Sequence, residues 1–346
     1  MLETLTRQLT AAQSLSAEQA RQAVEWLAEE CLAAASKADF LSALARKGET
    51  PEEIAAFALA LREKSLPLPI EESWRVSREI LDIVGTGGDR LGTFNISTTS
   101  AIVCAAAGVP VAKHGNRAVT SKSGSADVLE ALGIRIDLSP DEAAQRLQEQ
   151  HFAFFFAPNF HPAFKHIAPA RKLCAERGQR TIFNYLGPLL NPVRPSAMLV
   201  GVPRAELCEP LAHVLQALGV RRGMVVSGCV GESRMDELST LGENNLAEFY
   251  QERGFTASVL TLENFPLQNV ALMDLLGGDK IQNAEIARNI LQGKERGPKR
   301  DAVLLNAGAA LMVAGKTRSL IEGWELAAET IDAGKAAAKL KQLAAD

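Results

Sequence analysis

The chain has 346 residues, 47% of them hydrophobic and 23% charged, which is enough for a sizeable core and argues against long disorder. Its net charge of −4 argues against a general nucleic-acid binder, because such proteins need a clustered basic surface. The N-terminus lacks a basic-plus-apolar signal pattern, and no run approaches the roughly 18 apolar residues of a membrane span. The five cysteines are scattered without a CxxC pair, so neither a zinc site nor a disulfide framework is indicated. We therefore expect a cytoplasmic protein that binds neither nucleic acid nor a membrane.

Residues 1–75 are predicted to form a small all-helical domain. Ser16 and Gln19 have the spacing of a capping box, and Thr50-Pro51-Glu52-Glu53 repeats this start signal with proline at the first helical position. The segment 51–64 then carries apolar residues at helical spacing, and we expect this apolar face to support a dimer. The sequence LPLPI at 66–70 breaks the pattern and is predicted to be a linker.

Residues 76–346 are predicted to form a large α/β domain. Short apolar runs at 80–84, 109–112, 152–156, 198–202 and 224–227 alternate with helical stretches. This alternation is typical of a central, mostly parallel sheet flanked by helices. Ser139-Pro140-Asp141-Glu142 predicts a further capped helix. After about Ala284 the chain is predicted to be helical to its end, with Gly308, Gly315 and Gly323 as breaks between helices.

A glycine-rich loop follows the first predicted strand. The strand Leu81–Val84 runs into Gly85-Thr86-Gly87-Gly88-Asp89, where missing side chains allow a ligand to approach the backbone and exposed amides can cradle a phosphate. A plain tight turn explains the same residues. The loop fits neither GxGxxG nor GxxxxGK[ST], so the sequence does not support a dinucleotide or ATP site of those types.

Two further polar segments lie near the ends of predicted elements. Asn95-Ile96-Ser97-Thr98 precedes an apolar helix predicted at Thr99–Ala107, where free amides and hydroxyls can bind an anion, although an ordinary helix cap is the simpler explanation. The segment Lys113–Ser125 is rich in cations, serines and glycines and follows a predicted strand. Residues 85–125 carry four Lys or Arg against one Asp, and open α/β sheets bind ligands at the carboxyl ends of strands. Together these loops predict a site for a small anion.

The motifs GTGGD, FNIST, KHGNRAVTSKSGSADVLEALG, RTIFNYLGPLLNP and MDELS occur in this order along the chain. In these motifs, and over nearly its whole length, the sequence resembles the anthranilate phosphoribosyltransferase family of tryptophan biosynthesis. The resemblance implies transfer of phosphoribose from phosphoribosyl pyrophosphate to the amine of anthranilate. It also implies a homodimer paired through the helical part, with a later helical segment near 163–190 packed on that part.

The resemblance implies roles for particular residues. The residues expected to hold phosphoribosyl pyrophosphate are Gly85, Gly88, Asp89, Thr93, Asn95, Ile96, Ser97, Thr98, Lys113, His114, Gly115, Asn116, Arg117, Ala118, Val119, Thr120, Ser121 and Ser125. The residues expected near anthranilate are Gly85, Asn116, His161 and Arg171. Ser97, Asp236 and Glu237 match positions that bind magnesium, with two ions expected.

The chemistry agrees with these roles, but each residue has a simpler explanation. Magnesium prefers oxygen ligands and offsets phosphate charge, so Asp236 and Glu237 are suitable ligands. Adjacent residues on a strand point to opposite faces, so we expect a loop there, which Gly231 permits; a solvated turn is the alternative. A guanidinium grips a carboxylate in two places, although Arg171 could equally form a surface ion pair with Glu176. His161 could simply begin a helix. No general acid or base is assigned, since positioning and charge stabilisation suffice for attack by an aromatic amine, and His114 could serve only to shape its loop.

Three departures from the family pattern affect the acceptor more than the donor. Phe160 stands where relatives often have a second histidine, Arg234 stands where glycine is more usual, and residues 173–179 form a longer segment. The alternatives are a phosphoribosyltransferase with another aromatic acceptor, a pyrimidine nucleoside phosphorylase-like enzyme, and a non-catalytic nucleic-acid-binding relative. The last should be basic and lack the acidic pair, whereas this chain is acidic and retains it.

Overall fold

The structure is a computed structural model that describes residues 2–118, 122–250 and 254–345. Within these ranges the chain forms α-helices and one large β-sheet. The helices are α1 (Leu2–Thr10), α2 (Ala17–Ala28), α3 (Ala34–Lys47), α4 (Pro51–Glu63), α5 (Glu72–Val76), α6 (Ile96–Ala106), α7 (Ser125–Ala131), α8 (Pro140–Gln150), α9 (Ala157–Phe160), α10 (Phe164–Glu176), α11 (Phe183–Leu189), α12 (Cys208–Ala217), α13 (Lys280–Leu291), α14 (Pro298–Val313), α15 (Leu320–Asp332) and α16 (Lys335–Leu343). The strands are β1 (Leu81–Gly85), β2 (Val111–Gly115), β3 (Phe152–Phe156), β4 (Ala197–Gly201), β5 (Arg222–Val230), β6 (Ser233–Met235), β7 (Asn244–Tyr250) and β8 (Gly254–Leu260).

The sheet has the strand order β3-β2-β1-β4-β5-β7-β8, with β6 also paired to β5. The five strands β1 to β5 pair in parallel, whereas β6, β7 and β8 pair antiparallel. Helices cover both faces, and their apolar residues form two large buried clusters on opposite sides of the sheet. The predicted α/β class with a mostly parallel central sheet is therefore confirmed.

The predicted capping boxes are present. The Ser16 hydroxyl accepts from the Gln19 amide at 3.2 Å, and the Gln19 side chain accepts from the Ser16 amide at 2.9 Å. Equivalent reciprocal bonds begin α4 and α8. These starts were predictable because every bond in a capping box joins residues three positions apart.

The N-terminal helices pack together and against later helices. Contacts join α1 with α3 and α2 with α4, while α10 contacts α3 and both α11 and α12 contact α4. The apolar face of α4, which we expected to support a dimer, is instead buried within the chain: Phe57 and Ala58 have no exposed surface. That face therefore stabilises the monomer and is not free for a partner.

Two glycines near the C-terminus differ from expectation. Gly315 has φ of +73° just beyond the end of α14, in agreement with a break. Gly308 and Gly323, however, lie inside α14 and α15, where a side-chain carbon on Gly323 would come within 2.2 Å of the Gly308 carbonyl oxygen. They permit two helices to touch backbone to backbone, so their prediction as breaks was wrong. Among the helices of the described ranges, none is both long and apolar enough to cross a membrane.

Candidate active site

The three polar loops meet at one cavity of about 920 Å³. The parallel strands β1 and β2 both end here, so the segments that follow them converge on one edge of the sheet. Of the residues expected at the site, the cavity is lined by Gly85, Gly88, Asp89, Thr93, Asn95, Ser97, Thr98, Lys113, His114, Gly115, Asn116, Arg117, Ala118, Ser125, Arg171, Asp236 and Glu237. Ile96 and His161 do not line it, and Val119, Thr120 and Ser121 lie outside the described residues.

The glycine loop is held in place by Asp236. The amide of Gly87 donates to Asp236 Oδ2 at 2.6 Å, and a side-chain carbon on Gly85 would lie only 2.2 Å from the same oxygen. Gly87 and Gly88 have φ of +77° and +92°, a region that glycine adopts without steric cost. The glycine loop is thus a tight turn that also lines the cavity at Gly88, so the two explanations of its sequence do not exclude each other.

Helix α6 begins three residues earlier than the sequence suggested. Asn95 is its N-cap, so Ser97 and Thr98 lie in the first turn rather than before it. The Ile96 side chain is buried in the core, whereas the Ser97 amide donates to Glu237 Oε1 at 3.1 Å. The first turn therefore lines the cavity at the positive end of the helix dipole, which favours an anion, although its Ser97 amide is already paired with Glu237.

The two cations of the Lys113–Arg117 segment differ in burial and in their partners. Lys113 is buried in the middle of β2 and donates to the Ile83 carbonyl oxygen at 2.6 Å. Arg117 forms ion pairs with Glu130 at 2.5 Å and with Asp127 at 3.2 Å. The local positive charge inferred from residue counts is therefore partly offset by helix α7, and Arg117 is not a free phosphate ligand in this structure.

Asp236 and Glu237 lie just after β6, in the loop that the sequence predicted, beyond the turn at Gly231. Burial, followed by the charges of Asp89 and Glu237, raises the pKa of Asp236 well above its usual value. Burial also raises the pKa of Glu237, while Lys113 opposes that change. Three carboxyl groups thus lie near one another while Lys113 offsets only part of their charge, an arrangement that a bound cation would stabilise.

Within the described residues, no three His, Cys, Asp or Glu side chains are placed to hold one metal ion. This geometry still fits magnesium, which usually retains waters and takes one or two protein carboxylates together with substrate phosphates. Asp236 and Glu237 are therefore suitable as partial ligands, with the remaining positions available to a phosphorylated substrate.

His161 lies behind the cavity wall rather than in it. Its Nε2 is 3.2 Å from Nε2 of His114, and its ring stacks on Phe164 with centroids 5.2 Å apart. Burial lowers the pKa of His114 to about 3 and that of His161 to about 4, so both are neutral near pH 7. The expectation that His161 contacts the acceptor is corrected: in this structure it supports His114 and Phe164, which do line the cavity.

The other end of the cavity is formed by α10 and α11. Arg171 lies with its guanidinium carbon 5.0 Å from the ring centre of Phe183. Among the residues that the structure describes, Arg171 and Glu176 do not form an ion pair. Arg171 is therefore a cation beside an aromatic surface, which suits a ligand with a carboxylate on an aromatic ring.

Several lining residues were not predicted individually. They are Phe164, Arg180, Phe183, Asn184, Gly187, Pro188, Gly278 and Asn283. Most of them belong to the RTIFNYLGPLLNP motif, which marks the segment but does not show which of its residues face a ligand. Asn283 carried no signal at all, because it lies in an ordinary helical stretch far along the chain.

The three departures from the family pattern lie away from the cavity. Phe160 is buried against Phe155, and Arg234 donates to Asn245 Oδ1 at 2.6 Å on the sheet. In the 173–179 segment, Arg177 pairs with Asp39 and Gln179 donates to the Ser42 carbonyl. These residues therefore adjust packing on the sheet and on α3, and none of them lines the ligand cavity.

Comparison with known proteins agrees with this geometry. The α/β domain of a glycosyl transferase family matches residues 77–337, and the helical bundle domain of a glycosyl transferase family matches residues 3–65. Anthranilate phosphoribosyltransferase from Petrotoga mobilis is 47% identical over 331 residues, covering 96% of this chain and 92% of that protein.

Two solved structures extend the likeness to the fold. Anthranilate phosphoribosyltransferase from Thermus thermophilus superposes with a TM-score of 0.88 at 43% identity, covering 99% of this chain and 98% of the other. The Saccharomyces cerevisiae enzyme in complex with PRPP and Mg gives a TM-score of 0.87 at 28% identity, covering 99% and 97%. The chain thus belongs to the anthranilate phosphoribosyltransferases, a family of glycosyltransferases in tryptophan biosynthesis.

Proposed function

We propose that the cavity binds phosphoribosyl pyrophosphate and anthranilate side by side and transfers the phosphoribosyl group to the anthranilate amine, releasing pyrophosphate. The observation that carries this proposal is one cavity with two chemically different ends. Loops suited to binding phosphate, together with carboxylates, form one end. A cation beside aromatic rings forms the other.

The donor occupies the end formed by the glycine loop, the first turn of α6 and the loop after β2. The Gly88 backbone and the first turn of α6 at Thr98 face phosphate oxygens, and Lys113 adds a buried positive charge. Amides held in place before binding cost little reorganisation when negative charge develops on the leaving pyrophosphate. Val119, Thr120 and Ser121 complete the loop in this proposal.

Two magnesium ions are proposed to bind with the donor through Ser97, Asp236 and Glu237. Bound magnesium would offset the charge of the departing pyrophosphate. The observation that supports this is the raised pKa of both carboxyl groups, since burial outweighs the stabilisation that Lys113 gives to Glu237 and neighbouring carboxylates add to the shift of Asp236. Asp236 also fixes the glycine loop through Gly87, so ion binding and donor binding share one residue.

Anthranilate occupies the other end, with its carboxylate toward Arg171 and its ring against Phe183. Asn116 and Gly85 also line the cavity and complete the contact with the amine side in this proposal. An aromatic amine attacks an electron-poor sugar carbon without prior deprotonation, so no general base is assigned. Positioning of the two substrates supplies most of the rate enhancement in this proposal.

The wider organisation is also proposed. We infer a helical domain at 1–75, joined in packing by the 163–190 segment, and an α/β domain at 76–346, as the contacts of α10 with α3 and of α11 with α4 suggest. A homodimer through the helical part would use surfaces other than the buried face of α4, such as that around Leu59, which is 44% exposed. A cytoplasmic location is supported by the five cysteines, all of which are free thiols.

Loss of anthranilate fluorescence tests the proposed reaction. The signal should fall only when phosphoribosyl pyrophosphate and magnesium are both present, and pyrophosphate should appear in equal amount. Pyrophosphate release with another aromatic amine but not with anthranilate would establish a different acceptor. Turnover that requires inorganic phosphate and a nucleoside would contradict the proposal and favour a phosphorylase.

A further inference from the structure

The start of α13 is joined to the donor end of the cavity by backbone hydrogen bonds. The Phe94 amide donates to the Leu275 carbonyl at 3.1 Å, and the Gly277 amide donates to the Gly92 carbonyl at 2.9 Å. A side-chain carbon on Gly277 would lie 2.8 Å from Phe94 Cα, so only glycine allows this approach. The first turn of α13 is thereby held at a fixed position beside the N-terminus of α6.

Asn283, in that first turn, has a side-chain amide whose orientation is determined by its partners. It is 3% exposed, and its Oδ1 accepts from the Gly278 amide at 2.8 Å. Because only the oxygen of an asparagine amide can accept, the nitrogen must point the other way. That nitrogen donates to Asn95 Oδ1 at 3.0 Å.

This chain of bonds determines what Asn95 presents to the cavity. Its Oδ1 is occupied by Asn283, so Nδ2 faces the remaining direction, where the Ser123 carbonyl at 3.5 Å is a long contact for one of its two hydrogens. Asn95 is the N-cap of α6, yet its side chain makes no capping bond. The amide is therefore withheld from the usual capping role and lines the cavity as a donor.

We propose that Asn283 is a positioning residue that fixes the Asn95 amide with its N–H groups toward the donor substrate. This inference rests on the proposed function, because the oxygens of a phosphate or a ribose hydroxyl accept hydrogen bonds from such a group. With the amide reversed, Asn95 would present an oxygen to an anion and repel it. Asn283 acts only through Asn95 and touches no reacting atom.

Asn283→Asp tests this directly. The new carboxylate still accepts from Gly278 but cannot donate, so the Asn95 amide turns over to donate to it and directs Oδ1 into the cavity. We expect the KM for phosphoribosyl pyrophosphate to rise about tenfold to a hundredfold, while the KM for anthranilate stays within about twofold. Gln282→Glu is the matched control: it adds the same charge one residue away on an exposed side chain and should leave both values unchanged.

A double-mutant cycle separates positioning from a general structural role. In an Asn95→Ala background, Asn283→Asp should have no further effect on the donor KM. The same fold-change in both backgrounds would overturn the inference. Asn283→Ala serves as a second variant should the aspartate variant fail to fold: it frees the Asn95 amide without reversing it and should give a smaller rise, again only where Asn95 is present.

Binding of phosphoribosyl pyrophosphate alone, measured by calorimetry with magnesium, distinguishes this inference from the proposed function. If the wild-type chain binds the donor and Asn283→Asp binds it as tightly, the positioning role is refuted and the reaction proposal is untouched. If the wild-type chain does not bind the donor at all, the proposed function itself fails. Weaker binding in Asn283→Asp and normal binding in Gln282→Glu would support both.

Discussion

The two ends of the cavity are built in different ways. At the donor end, backbone amides of Gly87 and Ser97 donate to the carboxylates of Asp236 and Glu237, so loops from three parts of the chain are joined by hydrogen bonds. At the acceptor end, side chains of α10 and α11 line the wall, and Arg171 meets Phe183 by a cation–aromatic contact.

This difference indicates which property each end controls. Backbone atoms are present whatever the residue, so the donor end depends on loop geometry and on a few glycines that allow it. The acceptor end depends on the size and charge of individual side chains and on the packing of two helices against α3 and α4. Substitutions should therefore affect catalysis as a whole at the donor end and substrate choice at the acceptor end.

Asp236→Asn should have the largest effect. It removes a proposed magnesium ligand and weakens the anchor of the glycine loop, so we expect kcat/KM to fall by about a hundredfold with a raised magnesium requirement. The folded state, by contrast, should become more stable. The pKa of Asp236 is raised in the folded state, so its ionisation lowers the free energy of unfolding as pH rises above the pKa that Asp236 has in the unfolded chain. The ligand-free variant lacks this loss and should melt at a higher temperature than wild type at pH 7.5.

Glu232→Gln, on the exposed turn of the same hairpin, is the control for Asp236→Asn and should change neither property. A fall in activity accompanied by a lower melting temperature for Asp236→Asn would indicate general damage. It would remove the argument that the donor end holds uncompensated carboxylates.

Arg171→Ala should act on one substrate alone. Loss of a charged hydrogen bond should raise the anthranilate KM about tenfold to a hundredfold and leave the donor KM within about twofold. Steady-state kinetics with each substrate varied in turn measure both values. Lys172→Ala, the exposed neighbour, is the matched control. An equal rise in both KM values would contradict the division of the cavity into two ends.

Gly187→Ala should give a smaller and more selective effect. Gly187 lines the cavity within α11, and an added carbon there meets no protein atom within 4 Å, so it enters the space assigned to anthranilate. The anthranilate KM should rise a few-fold, while the melting temperature should not rise, because a side-chain carbon before Pro188 is disfavoured in the helical conformation and offsets the gain from replacing a helical glycine. Kinetics and thermal melting together check this, and an unchanged anthranilate KM would move the acceptor away from α11.

The neutral histidine pair predicts a pH effect on stability rather than on substrate affinity. Burial lowers the pKa of His161 to about 4, so its contribution to stability is complete above pH 6.5 and is lost as pH falls toward 4. His161→Asn removes this titrating group. The slope of the free energy of unfolding against pH should therefore fall by about 1.4 kcal/mol per pH unit between pH 6.5 and pH 5. Denaturant unfolding measures the slope, and an unchanged slope in His161→Asn would show that His161 is not buried neutral.

Local features of this protein were determined by the sequence itself. The capping boxes at Ser16, Thr50 and Ser139 and the turn at Gly87-Gly88 depend on residues a few positions apart, so their physical causes are visible in a short window. The apolar runs likewise marked β1 to β5 to within a few residues, because burial on both faces of a parallel sheet demands them.

Only the tertiary structure decided which of the predicted residues line the cavity with groups free to bind a ligand. Arg117 is paired by two carboxylates of α7, His161 lies behind His114, and Asn283 reaches Asn95 across 188 positions of sequence. Gly308 and Gly323 show the same limit, since their role depends on a second helix. A side chain's residue type fixes what it can donate, accept or neutralise, but its partner is set by the packing of elements that are distant in the chain.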